Sequence, residues 1–295
     1  MAATAISFIN IKGGVGKTAC VVNIGAILAK KHKKKVLIVD LDPQSSSSLW
    51  LLNPKQYIKH TQNNCLSVKI LFDDRINGNH NFQFDKIAIK GVPISLEGNP
   101  HIPNLHLLPA SPRLFITEDE IYRNKESLYF EYLYLGLQPY YNKYDYILFD
   151  CPPNMYSITK NAIFASEHCI VPSVPDFLSL AGIKILANLL RDFTSSVNTE
   201  YSGRPVTTIS AAIISHYRSN VIDQGTQIGE LKSKFLQLKD KRLISPNAPV
   251  LEPSIRLCAA VAASTSEHLP VILHKPRANG AIDYQKLTAD FLKYF

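Results

Sequence analysis

Between Asn10 and Thr18 the chain reads Asn-Ile-Lys-Gly-Gly-Val-Gly-Lys-Thr, a stretch able to hold phosphate. Gly13, Gly14 and Gly16 let the backbone approach an anion closely, and successive N–H groups ahead of a helix form an anion-binding nest. Lys17 follows as a cation for β- and γ-phosphates, and the Thr18 hydroxyl as a ligand for Mg2+. The glycine-first P-loop frame would place Gly at position 11, where Ile11 stands. The motif is therefore the compact form Lys-Gly-Gly-x-Gly-Lys-Thr, with Lys12 as an extra cation at its start. Carboxylates sit at the ends of two apolar runs, Asp40 and Asp42 after the first and Asp150 after the second. Asp150 stands where a Walker-B carboxylate holds Mg2+ directly or through water. A single Asp at a strand end says little, since Asp also opens turns and caps helices. Three such ends together, one of them a phosphate loop, describe a site for Mg·ATP.

These residues need a frame. Residues 5–9 read as a buried strand entering the loop, and 19–31 as a helix leaving it, apolar at Val22, Ile24, Ile27 and Leu28. The runs ending at Asp40 and Asp150 are continuously apolar, as expected of strands buried on both faces of a parallel sheet. Ligands of open α/β sheets gather at the carboxyl ends of such strands. Residues 44–52 are expected to start a helix capped by their serines, and 54–103 are mixed, with a surface loop at 77–81. A Tyr-rich helix over 118–137, interrupted by Pro139, follows. Further helices are expected over 155–167, 177–193 and 221–238, with strands at 168–174 and 206–215. The alternation predicts a doubly wound, mostly parallel α/β sheet flanked by helices on both faces, the P-loop NTPase architecture, as one domain over 1–295.

Lys12 to Thr18 (KGGVGKT), Val39 to Gln44 (VDLDPQ) and Phe149 to Pro153 (FDCPP) resemble the deviant Walker A, A′ and Walker B boxes of the ParA/MinD family of ATPases, closest to the ParA branch. Asn104 to Ser111, Val171 to Gly182 and the tail from Leu269 resemble further segments of that branch, so the likeness runs nearly end to end and is weakest over 53–103. The resemblance implies a homodimer that sandwiches two ATP molecules. Lys12 would reach the partner's nucleotide, the work of an arginine finger, which is worth roughly 10³–10⁵ in rate. Asp42 would position or activate the attacking water, with Lys17 as the other catalytic cation and Asp40 as a companion near the metal. The nucleotide would be held by Lys12, Gly13, Gly14, Val15, Gly16, Lys17, Thr18 and Ala19, and Mg2+ by Thr18, Asp40 and Asp150. Ala19 replaces a second Thr usual in the family, a loss of one hydrogen bond or about 1 kcal/mol. The Arg-rich DNA-binding segment of the partition ATPases is reduced to Arg256 within 253–263.

The composition is that of a globular chain, 46% hydrophobic and 19% charged over 295 residues. It has no apolar run of 18 residues and opens into a strand, so neither a membrane span nor a signal peptide is expected. The last helix reads as a core helix rather than a membrane-binding extension. Five scattered cysteines without C-x-x-C spacing suit a reducing compartment and no zinc or iron–sulfur site. The tyrosines between Tyr129 and Tyr146 are expected to pack rather than act. A net charge of +8 favours an anionic partner. Arg218, Lys232, Lys234, Lys239 and Arg242, with Arg256, are candidates for non-specific contact with DNA phosphates. The lysines of 30–35 read instead as helix-end charges. The function implied is an ATPase of slow basal turnover, cytoplasmic and nucleoid-associated, that segregates plasmid or chromosomal DNA and is released when a ParB-like or cargo adaptor protein stimulates hydrolysis. The alternatives are positioning of a protein cargo such as a chemoreceptor cluster or microcompartment, and a nucleotide switch that binds no DNA.

Overall fold

Short, largely apolar stretches build the middle of an eight-stranded sheet, seen in a computed structural model that describes residues 3–95, 98–124, 128–200, 207–218 and 222–295. The strands are β1 (Thr4–Phe8), β2 (Val36–Asp40), β3 (Ile89–Lys90), β4 (Leu105–Leu108), β5 (Tyr146–Asp150), β6 (His168–Ser173), β7 (Ile209–Ile214) and β8 (Val250–Leu251). They lie in the order β3-β4-β2-β5-β1-β6-β7-β8. Only the β3–β4 pair is antiparallel. Every residue of β2 and β5 is buried. Strand residues alternate between faces. Leu37, Val39, Ile147 and Phe149 accordingly join the core on one face, and Val36, Ile38 and Leu148 the core on the other. The expected doubly wound architecture is what forms.

Helix α1 (Lys17–Lys30) leaves the phosphate loop and crosses one face. It approaches closely at Gly25, where a Cβ would stand 3.1 Å from Ile38 Cδ1. Helix α2 (Ser46–Leu51) is shorter than the expected 44–52 and is not capped by a serine side chain; its serines turn to the carboxylates instead. The helix expected over 118–137 is two helices, Leu114–Asn124 and Tyr132–Leu137, the second preceded and followed by 3-10 turns. Pro139 lies at the start of the second turn, where its missing N–H breaks no helical bond. Tyr132, Tyr141, Tyr144 and Tyr146 are buried, as their packing role requires. The helix Phe177–Glu200 runs past the expected end at 193. The start of the helix expected at Val221 lies outside the described residues; the helix observed is Ile222–Asp240. Strands β3 and β8 are two residues each, too short to leave a period in the sequence.

Candidate nucleotide site

Parallel pairing sets the site. Asp40 at the end of β2 is the register partner of Asp150 at the end of β5, and Asp150 also faces Phe8, the last residue of β1. The phosphate loop leaves β1 at that same edge, so the backbone nest and two buried carboxylates converge without help from side-chain length. Gly14 and Gly16 sit at φ 71° and 81°, left-handed values that glycine takes without steric penalty.

Each carboxylate is held by a serine of α2. Asp40 Oδ2 accepts from the Ser48 backbone N at 2.8 Å and from Ser48 Oγ at 2.7 Å, while Oδ1 accepts from Asp42 N at 3.2 Å. Asp150 Oδ2 accepts from Ser47 Oγ at 2.6 Å. Asp150 Oδ1 is buried and has no hydrogen-bond partner among the described residues. Burial pushes the Asp150 carboxyl up to about 6, against the hydrogen bonds from Ser47 and Thr18 and the charge of Lys17. Burial and the neighbouring Asp150 raise Asp40 well above the ordinary carboxylate value. A pair of buried carboxylates with one open oxygen asks for a cation. Of the three residues expected to hold metal, Asp150 beside Thr18 carries the open position, whereas both oxygens of Asp40 already accept hydrogen bonds.

Lys17 is buried, and its ammonium lies over the loop, donating to Asn10 O at 3.3 Å and Lys12 O at 3.5 Å. Burial lowers its pKa, opposed by Asp150, Cys151 and Asp42. Asp42 is half-buried, accepts from Gln44 N at 2.9 Å and lines a cleft of about 720 Å3 with Gly13, Gly14, Val15, Gly16, Lys17, Thr18 and Ala19. The cleft is also lined by Leu49 and Trp50 of α2, Pro153, the Thr265–His268 turn and, beside Gly16, His216. Lys12 does not line this cleft. Its ammonium donates to Asp176 Oδ2 at 2.6 Å and to Ser179 Oγ at 3.4 Å, outside the chain's own phosphate cradle.

Sequence spacing missed the residues that orient these groups. Ser47 and Ser48 look like a low-complexity serine run. Asp176, Ser215 and His216 lie more than 150 positions from the loop, and no local pattern marks them. The basic candidates divide. Lys232, Lys234 and Lys239 lie along the helix Ile222–Asp240 and Arg242 just after it, with Lys232 ion-paired to Glu252. Arg218 is exposed beyond β7. Arg256 stands apart: its guanidinium binds the buried Asp283 bidentately at 2.9 and 2.7 Å, which ties the chain after β8 to the helix Asn279–Phe291. Among the described residues there is no His/Cys/Asp/Glu group that could hold a metal by itself, and no helix is long and apolar enough to cross a membrane.

Fold and site define a P-loop nucleotide-binding protein. The chain belongs to the ParA/MinD family of deviant Walker A ATPases. A family profile described as an AAA domain matches residues 3–202. The sporulation initiation inhibitor protein Soj of Bacillus subtilis is 31% identical over 290 residues, spanning 97% of this chain and 96% of Soj. The fold matches an ATP complex of McdA from Cyanothece, with a TM-score of 0.71 at 16% identity over 99% of this chain and 96% of that one. It also matches cobyrinic acid a,c-diamide synthase from Mycobacterium smegmatis with bound ATP analogue and magnesium, with a TM-score of 0.69 at 22% identity, covering 99% and 94%.

Proposed function

We propose that the chain hydrolyses Mg·ATP slowly within a homodimer, binds DNA without sequence preference while ATP is held, and lets go when a partner protein stimulates hydrolysis. The observation that carries the reading is the register pair Asp40–Asp150 beside the glycine loop, with one Asp150 oxygen open to a cation. The donor set fits Mg2+, a hard cation that takes oxygen ligands, with the Thr18 hydroxyl and Asp150 to hold it and Asp40 behind them. When bound, the ion supplies neutralisation of charge on the β- and γ-oxygens. Lys17 carries the second positive charge on the phosphates. Asp42, half-exposed at the cleft wall, is placed to orient an attacking water. Lys12, which does not line its own chain's cleft, supports the in-trans role: a lysine at the rim can meet a nucleotide brought by a second copy. Bound ATP and magnesium in the fold relatives support the same ligands here.

Size-exclusion chromatography with light scattering tests the reading. Asp42→Ala should bind ATP and accumulate as a dimer with turnover lost; a monomer that still turns over removes the role given to Asp42. Lys12→Ala should bind ATP and fail to hydrolyse it. Non-specific DNA retention should require ATP and weaken steeply with salt. Lys239→Glu with Arg242→Glu should abolish retention while basal ATPase is kept. An ATP dimer that never retains DNA would turn the assignment to a protein cargo.

A further inference from the structure

The loop that leaves β7 is bonded to the phosphate loop. Ser215 Oγ donates to Val15 O at 2.7 Å, and the same Ser215 is anchored to β6 through its backbone N on Ser173 O at 2.9 Å. The His216 ring lies beside the same phosphate loop and lines the cleft. A Cβ placed on Gly16 would stand 3.4 Å from Ser215 Oγ and 3.6 Å from His216 Nε2, which puts both side chains directly against the turn. His216 itself holds a φ of 56°, a left-handed value unusual outside glycine and found where surrounding structure enforces it.

A peptide unit is planar and trans, so its C=O and the N–H of the next residue point in opposite directions. A carbonyl held on one side therefore aims the following N–H to the other. Gly14 and Gly16 carry no Cβ to restrict these planes, so the aim must come from elsewhere. We propose that Ser215 is a positioning residue of the phosphate site: by holding the Val15 carbonyl it aims the N–H of Gly16 at the bound phosphates. The proposal rests on the nucleotide reading above and adds one residue to it that need never touch the reacting atoms.

Isothermal titration of the full chain with Mg·ADP and with Mg·AMP-PNP tests it, alongside nucleotide-free melting temperatures. Ser215→Ala should weaken both nucleotides about tenfold, the worth of one hydrogen bond, a loss larger than any fall in the nucleotide-free melting temperature accounts for. Ser215→Thr keeps the hydroxyl donor and should restore affinity. An alanine variant that binds like the wild type overturns the proposal, as does a threonine variant that loses as much as the alanine. A fall in affinity that merely tracks a fall in melting temperature also overturns it. A wild type that binds neither nucleotide removes the parent reading, and this one with it.

Discussion

Ser47 and Ser48 determine how the two paired carboxylates are tolerated inside the sheet. Ser48 serves Asp40 with its backbone and its hydroxyl, and its oxygen also accepts from Ala110 N at 3.1 Å. Hydrogen bonds to a charged group are worth about 1.5–3 kcal/mol, so Ser48→Ala should destabilise the nucleotide-free protein by about that amount in urea denaturation. Ser48→Thr should recover most of it. Much of the site was readable at this scale: the loop, Asp40, Asp42 and Asp150 each sit in a short segment whose spacing carries their chemistry. Their supporting donors were not. A serine in a serine run has no distinctive neighbourhood, and Ser215 meets Val15 only because β6 and β7 stack beside β1.

At the scale of elements, strands ending in carboxylates were legible because burial on both faces writes an unbroken apolar run. The helix expected over 118–137 failed for a related reason: its apolar residues serve two helices and two 3-10 turns that face the same core, so the period survives while the axis breaks. Two helical glycines make the packing testable. Gly182 has open space where a Cβ would go, and Gly182→Ala should stabilise by about 0.5–1 kcal/mol. At Gly136 a Cβ would stand 2.5 Å from the buried Leu71, and Gly136→Ala should cost about 1–3 kcal/mol despite its better helix propensity. Both are read from urea midpoints. Half-buried histidines add a pH signature. Burial lowers the rings of His60, His106 and His168 below their ordinary value of 6.5. The unfolded chain then takes up those protons first as pH falls, and their contribution to stability is lost below about 6.5. His106→Gln should accordingly lose less stability than the wild type between pH 7.5 and 5.5; equal losses would show that ring to be indifferent.

For the whole molecule, the doubly wound, mostly parallel class was predictable from alternation, though not the two-residue strands β3 and β8, whereas the partner was not: attraction to an anionic polymer needs only clustered charge, which carries no code. One of the expected cations, Arg256, is also ion-paired, joining the chain after β8 to the helix Asn279–Phe291 through Asp283. On the proposed function, dependence on metal belongs to the assembled state. Adding EDTA to the ATP-loaded Asp42→Ala dimer should return it to monomer by light scattering, because the open Asp150 oxygen and the triphosphate would again repel. A dimer that survives chelation would place its cohesion elsewhere.

The Lys12–Asp176 ion pair has a consequence for timing. Both side chains are about one-third exposed, 33% and 37%, so salt screens the pair and thermal motion opens it. In the in-trans role proposed for Lys12, the lysine is unavailable to a second chain until the pair opens, however often two chains collide. Stopped-flow closure of ATP-loaded protein should therefore reach a plateau rate as protein concentration rises, set by an event inside one chain. Asp176→Asn should lift that plateau, and moderate salt should lift it too, even as the same salt loosens the grip on DNA.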